Sequence, residues 1–294
     1  MRPYSSPAAF RAAVDARLRT HARRRGVEAF VLRRQAALER LMARLAHVAP
    51  GRWALKGGLA LETRLHERGR ASVDLDVDHA KGAEAARDDL QRAAREDLGD
   101  YFAFAVTGSE ELQEGGVRLA VRYRMDSAVS GAPFEPLQVD VTVAPPEPWD
   151  PERAQSLGLL ADVGLGPVDV LVVPLERQIA EKLHAYTRRY GGAGTTRAKD
   201  LVDFVLIRQF ERVDARRLVD VIRRTFARRR THPAPGHLPV PPGGLAVAYR
   251  REAAAVGITT SVDEAHRLVA EWLDPVLAGM AQGAWDPLDA RWTE

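Results

Sequence analysis

The residues richest in chemistry are a run of alternating carboxylates and, upstream of it, a glycine pair. In Ser72-Val73-Asp74-Leu75-Asp76-Val77, a strand from Val73 to Val77 places Asp74 and Asp76 on one face and turns Val73, Leu75 and Val77 toward a core. Two carboxylates on one face repel, and a divalent cation relieves the repulsion most simply. Gly57-Gly58 follows an apolar stretch and opens a helical one, so backbone N–H groups and a helix N-terminus could cradle a phosphate there. A plain tight turn uses the same pair. Asp140, in Gln138-Val139-Asp140-Val141, repeats the carboxylate pattern on another strand and is the candidate third ligand. The simpler alternative is that these acids face solvent from an edge strand. Carboxylates beside a phosphate-cradling turn are what metal-assisted phosphoryl or nucleotidyl transfer requires. The chain has no Cys, so a metal would be held by oxygen or imidazole, which favours a hard ion such as Mg²⁺.

A second group lies further on, in Glu181-Lys182-Leu183-His184-Ala185 and Arg197-x-Lys199-Asp200-x-x-Asp203. Lys occurs at only four positions, 56, 81, 182 and 199, and a compact ammonium in an Arg-rich chain suggests a phosphate contact. The alternative for Lys182 is a surface lysine paired with Glu181 or Glu176. Asp200 and Asp203 share a helix face, where Arg197 also projects; Asp200 is a reactive carboxylate or a structural acceptor that orients Lys182 or Arg197. His184 reads as a core histidine, and His66 and His79 receive no role. Tyr190 to Gly194 reads as a flap or a flexible turn.

The elements that must position these groups follow from periodicity and punctuation. The first fifty residues read as two helices, with Ser6 capping Pro7 and with Phe30, Ala37, Leu38, Leu41 and Leu45 on one apolar face. After Pro50-Gly51 come a strand at Trp53 to Lys56, a helix at Leu59 to His66 and a helix at Ala83 to Leu98. Strands are predicted at Tyr101 to Val106, Val117 to Met125 and Leu137 to Val143, the second alternating Val117, Leu119, Val121 and Tyr123. A Pro-rich loop from Ala144 to Pro148 and the apolar run Val168 to Pro174 precede helices at Leu175 to Arg189, Arg197 to Phe210 and Asp214 to Arg229. Everything after that run reads as helical. Thr231 to Gly244 is a loop, and Ser261 opens a final helix with a capping box.

Taken in order, Lys56-Gly57-Gly58, Arg70-x-Ser72-x-Asp74-x-Asp76, Asp140, Glu181-Lys182-Leu183-His184-Ala185 and Arg197-x-Lys199-Asp200-x-x-Asp203 resemble the motifs of the AbiEii-type nucleotidyltransferase toxins. These belong to the polymerase-β-like superfamily and include the mycobacterial MenT toxins. The resemblance implies an α/β fold: a mixed-sheet nucleotidyltransferase core (51–174) with N-terminal helices packed on it (1–50) and a helical C-terminal domain (175–294) contributing the Lys182 and Asp200 motifs. It further implies metal ligands in Asp74 and Asp76, with Asp140 third, and a triphosphate turn of Gly57, Gly58 and Ser72. It makes Lys182 a phosphate contact and Asp200 an essential carboxylate, and it adds Lys56 and Arg197 to the nucleotide-binding set. The implied cofactor is Mg²⁺ or Mn²⁺. The implied reaction is transfer of a nucleoside monophosphate from an NTP to RNA, a tRNA 3′ end, by a toxin with a cognate antitoxin encoded nearby.

Composition sets the outer limits. The 294 residues are 46% hydrophobic and 28% charged, which excludes a disordered or collagen-like chain and suffices for one large or two modest domains. No apolar run is long enough for a membrane helix, so the expectation is a cytoplasmic protein without a membrane partner. The formal charge is +3, yet arginines cluster at 23–25, 33–34, 188–189, 223–224 and 228–230. Such clusters suit a polyanion or are merely solvated helix faces. Two rival functions remain open: nucleotidylation of a protein or small molecule, and non-catalytic nucleic-acid binding.

Overall fold

The computed structural model describes residues 4–114, 117–144, 148–188 and 197–293. Among these, the chain forms two compact units, Met1–Glu67 with Ala71–Val173 and Arg68–Arg70 with Pro174–Glu294.

The first unit opens with α1 (Pro7–Arg25), whose Ser6 cap accepts a hydrogen bond from the Ala9 N–H and which ends at a left-handed Gly26. Helix α2 (Ala29–Val48) follows. Ala37, Leu38, Leu41 and Leu45 are buried as the apolar face requires, whereas Phe30 is exposed and lies beside the Arg34 guanidinium. Strand β1 (Trp53–Lys56) runs directly into α3 (Gly57–Leu65). Strand β2 spans Leu75–His79, two residues later than the alternation suggests, because Asp74 sits in a bend before the strand. Helix α4 (Gly82–Arg95) leads into three long strands, β3 (Phe102–Glu114), β4 (Val117–Val129) and β5 (Ala132–Thr142). On β4, Val121 and Tyr123 are buried but Leu119 is 41% exposed. Pro145 to Glu147 of the predicted loop lie outside the described residues. Strands β6 (Glu152–Gln155) and β7 (Asp169–Val172) complete a seven-stranded sheet among the described residues, in the order β3-β4-β5-β2-β1-β7-β6. It is mixed: β1 pairs parallel with β7, and β2 with β5, while β1 and β2 are antiparallel. Strand β6 went unread because Glu-Arg-Ala-Gln has no apolar alternation; it is an edge that pairs with β7 alone.

Helix α2 is buried nearly all round, so its polar residues need internal partners. Glu39 accepts the Gly158 and Leu159 N–H groups. Arg44, fully buried, grips both oxygens of Asp100 at 2.7 and 2.9 Å and also donates to the Phe102 carbonyl. Arg40 Nε adds a bond of 2.8 Å to the same carboxylate.

In the second unit α5 (Leu175–Thr187), α6 (Ala198–Phe210), α7 (Ala215–Arg229), α8 (Leu245–Ala254) and α9 (Val262–Leu277) supply most of the structure. Ser261 caps α9 by accepting from the Glu264 N–H. The region is not wholly helical: β8 (Val213–Asp214), β9 (Ala284–Asp286) and β10 (Arg291–Thr293) form a small antiparallel sheet. It is fixed by tryptophans, since Trp285 donates to the Arg208 carbonyl and Trp292 to the Trp272 carbonyl. Their strands are too short to show a period. Tyr190 to Gly194, read as a flap or turn, lies outside the described residues.

Burial pushes the Asp100 carboxyl up, but Arg44 and Arg40 outweigh it and hold the group below the usual range. A carboxyl depressed in the folded state adds stability above its unfolded pKa and loses it as pH falls through the folded value. Asp100→Asn leaves the Arg44 charge buried and uncompensated, so urea unfolding at pH 7 should show a loss of about 3–5 kcal/mol. The gap between variant and wild type should narrow on acidification below the ordinary carboxylate range.

Candidate active site

In the first unit the antiparallel register sets Lys56 opposite Asp76, Leu55 opposite Val77 and Ala54 opposite Asp78. Leu55 and Val77 are buried in the core, so alternation sends Lys56, Asp76 and Asp78 to the other face. Strand β5 continues that face: Asp76 is in register with Asp140. Asp74 is exposed, Asp76 half-buried and Asp78 fully buried. Lys56 Nζ donates to Thr142 Oγ1 at 2.7 Å and lies 3.7 Å from Asp78 Oδ1.

Gly57 is where the turn and the acids meet. Its φ of +64° favours glycine, and a Cβ there would overlap the Asp76 carboxylate. The backbone that opens α3 therefore lies directly against Asp76. Lys56, at the N-cap, makes no side-chain capping bond, so no cap side chain from that residue satisfies the first-turn N–H groups.

Asp140 is placed beside Asp76 but is gripped by Arg122, with Nε to Oδ1 at 2.9 Å and Nη2 to Oδ2 at 2.7 Å. Arg122 titrates above its ordinary range because of that bonding, with Asp74 a further contributor. Among the described residues, no group of three or more His, Asp or Glu is gathered to hold a metal ion. Asp74, in the bend, and Asp76, in the strand, lie two residues apart in the sequence.

Ser72 lies outside the strand, in the segment before β2, and is buried. Its position is set through its backbone. The Ser72 N–H donates to Glu62 Oε2 at 2.9 Å, and its carbonyl accepts from Gln35 Nε2 at 2.9 Å. Gln35 and Arg25 also donate to Glu62. Burial raises the Glu62 pKa despite these donors.

In the second unit Lys182 is enclosed, with Nζ 2.6 Å from Asp203 Oδ2 and 3.5 Å from Asp200 Oδ1. It is not a surface lysine: Glu181 pairs with Arg177 and Arg228, and Glu176 with Arg217. Arg70 approaches Asp203 at 3.4 Å, and Arg197 Nε donates to Asp200 at 2.6 Å. Burial works against the Lys182 charge, but Asp203 and then Asp200 outweigh it and the ammonium titrates above the usual lysine range. Asp203 is likewise held low against burial, by Lys182 and Arg70. His184 is buried, bonds Thr231 Oγ1 through Nε2 and has its pKa lowered to about 4 by desolvation, then Arg229 and His232.

The family described as nucleotidyl transferase AbiEii toxin, type IV toxin–antitoxin system, matches residues 40–268. The chain belongs to that family. In fold this AbiEii-family protein is similar to the nucleotidyltransferase toxin MenT4 of Mycobacterium tuberculosis H37Rv, with a TM-score of 0.55 and 18% identity over 92% of this chain and 98% of that one. It is also similar to a candidate nucleotidyltransferase from H. pylori, at a TM-score of 0.50 and 15% identity over 87% of this chain and 100% of that one. No curated protein matches the sequence closely enough to count as a relative. The α/β nucleotidyltransferase fold is thereby shown. Among the described residues no helix is long and apolar enough to cross a membrane.

Sequence reasoning overlooked Asp78, although it extends the 74, 76 alternation by one more step. It also overlooked Glu62 and Arg122, whose partners lie on other elements and leave no local signal. Lys182→Met should strand two buried carboxylates and cost about 3–5 kcal/mol in urea unfolding. In a double-mutant cycle with Asp203→Leu, the two losses should be clearly non-additive. Additive losses would dissolve the pair.

Proposed function

We propose that this AbiEii-family nucleotidyltransferase transfers a nucleoside monophosphate from an NTP to the 3′ hydroxyl of an RNA, a tRNA in the first instance, and thereby blocks translation. The observation that carries this reading is the contact of the Gly57 turn with Asp76, which lays the backbone opening α3 against one of the two candidate acids. The donor set fits a hard divalent ion. Asp74 and Asp76 offer only oxygen, one exposed and one half-buried, and the absence of a side chain at Gly57 leaves room for the Asp76 carboxylate.

Asp74 and Asp76 would hold Mg²⁺ or Mn²⁺, and such an ion, when bound, neutralises the charge developing on the departing pyrophosphate. The Gly57-Gly58 turn takes the triphosphate through backbone N–H groups, with Lys56 adding positive charge. Ser72, on a segment whose backbone is fixed by Glu62 and Gln35, is proposed to add its hydroxyl to the triphosphate site. The acceptor oxygen bonds the α-phosphorus while the bond to the β-phosphate oxygen breaks, and the hydroxyl proton is lost to solvent or base. Asp140 stays in its pair with Arg122, which keeps the Arg122 charge beside Asp74. Lys182, Asp200 and Arg197, in the second unit, complete the proposed set of functional residues. There Lys182 is the enclosed cation between Asp203 and Asp200, and Arg197, bonded to Asp200 and 43% exposed, is the proposed phosphate contact. A cognate antitoxin and a cytoplasmic setting complete the proposal.

The test is incubation with each labelled NTP, Mg²⁺ and total RNA, resolved on a gel. Wild type should label RNA, and EDTA should abolish the label. Asp74→Asn should lose transfer by about 10³-fold, roughly 4 kcal/mol of transition-state stabilisation, with unchanged circular dichroism and with loss of growth inhibition. Near-normal transfer by the Asn variant would remove the metal-ligand assignment, and label on protein instead of RNA would replace the acceptor.

A further inference from the structure

We infer that the outer face of α7 is a docking surface for the RNA phosphate backbone, separate from the residues that handle the NTP. The inference rests on the RNA reading above and names the surface that would hold the acceptor. Helix α7 carries six arginines and one acid, Asp220. Its inner face is apolar: Ala215, Leu218, Ile222 and Phe226 are buried, together with Thr225. At about 100° per residue, Arg216, Arg217, Arg223, Arg224 and Arg228 fall within about 140° on the opposite side, along about 18 Å of helix. All five are exposed.

Two observations argue against plain solvation of a helix surface. First, arginines near a helix C-terminus are expected, because they complement the macrodipole; Arg216 and Arg217 sit in the first turn, where a cation is unfavourable and where the only acid is the Asp214 cap. Charge at both ends of one stripe therefore needs another cause. Second, the stripe stays net positive although Asp220, its one acid, lies at its centre. Arg217 lies 3.5 Å from Glu176 and Arg228 3.9 Å from Glu181, but among the described residues Arg216, Arg223 and Arg224 have no ion pair. At the helix end more positive charge gathers, where Arg229, the last residue of α7, and Arg188 both depress the His184 pKa. A rigid row of guanidiniums of this length matches successive phosphates of a polyanion.

Binding of the full chain carrying Asp74→Asn, which prevents turnover, would be measured against total tRNA and a 20-nucleotide single-stranded RNA from 50 to 200 mM salt. Five phosphate contacts give a slope of about −3.5 to −4.5 in log K against log salt, a loss of roughly 100- to 500-fold over that range. Adding Arg216→Ala, Arg223→Ala and Arg224→Ala should cut the loss to roughly tenfold. Affinity for a non-hydrolysable NTP and the melting temperature should stay unchanged. An unaltered slope in the triple variant, with wild-type RNA binding intact, overturns the surface and leaves the RNA reading standing. Absence of RNA binding with NTP binding intact overturns both. Tighter binding of polyglutamate than of RNA at equal charge would give the face to an acidic protein and overturn the inference.

Discussion

Strand alternation is the constraint on which the first unit depends. Strands β1 and β2 must turn Leu55 and Val77 into the core, and the antiparallel register then commits Lys56, Asp76 and Asp78 to the opposite face. A slip of one residue would exchange the two faces and bury the charges without partners. Register between β2 and β5 carries the same face outward to Asp140. The chemistry is therefore held by the hydrophobic effect acting on the other side of the sheet. Gly57 supplies what alternation cannot, a backbone that approaches the acids with no side chain in between.

In the second unit the constraint is electrostatic. Lys182 and Asp203 are both enclosed and 2.6 Å apart; Lys182 keeps its charge through Asp203 and Asp200, and Asp203 through Lys182 and Arg70. Removing either exposes the full desolvation cost of its partner. Arg70 and Arg197 spread the charge balance over Asp203 and Asp200, so the group is a network of three cations and two carboxylates.

The parts of this arrangement that were legible in the sequence are those encoded locally. Ser6 and Ser261 announce their helices by capping, and Trp53 to Lys56 followed by Gly57-Gly58 marks a strand entering a helix. The mixed α/β character followed from such signals. Asp74 and Asp76 stood out by spacing, but the strand begins only at Leu75, since the bend at Asp74 is a tertiary matter that period-2 spacing does not reveal. Strands β8 to β10 have two or three residues each, below any readable period, and are fixed by indole hydrogen bonds to distant carbonyls. Partnerships were the least legible of all. Nothing near Asp140 in the sequence says that Arg122 holds it, and nothing near Ser72 says that Glu62 and Gln35 fix its backbone.

The short segment Arg68–Arg70 belongs with the second unit although the chain on both sides of it belongs with the first. A motif that reads as one continuous string, Arg70-x-Ser72-x-Asp74, is thus divided, its arginine serving Asp203 and its serine held by Glu62. A cut between Val173 and Pro174, the natural place to separate the halves as gene fragments, would not deliver the second unit whole. The fragment from Pro174 onward would keep Asp203 and Lys182 but lack one of the cations that balance them. The three-residue segment ties the charge balance of the second unit to the covalent continuity of the entire chain.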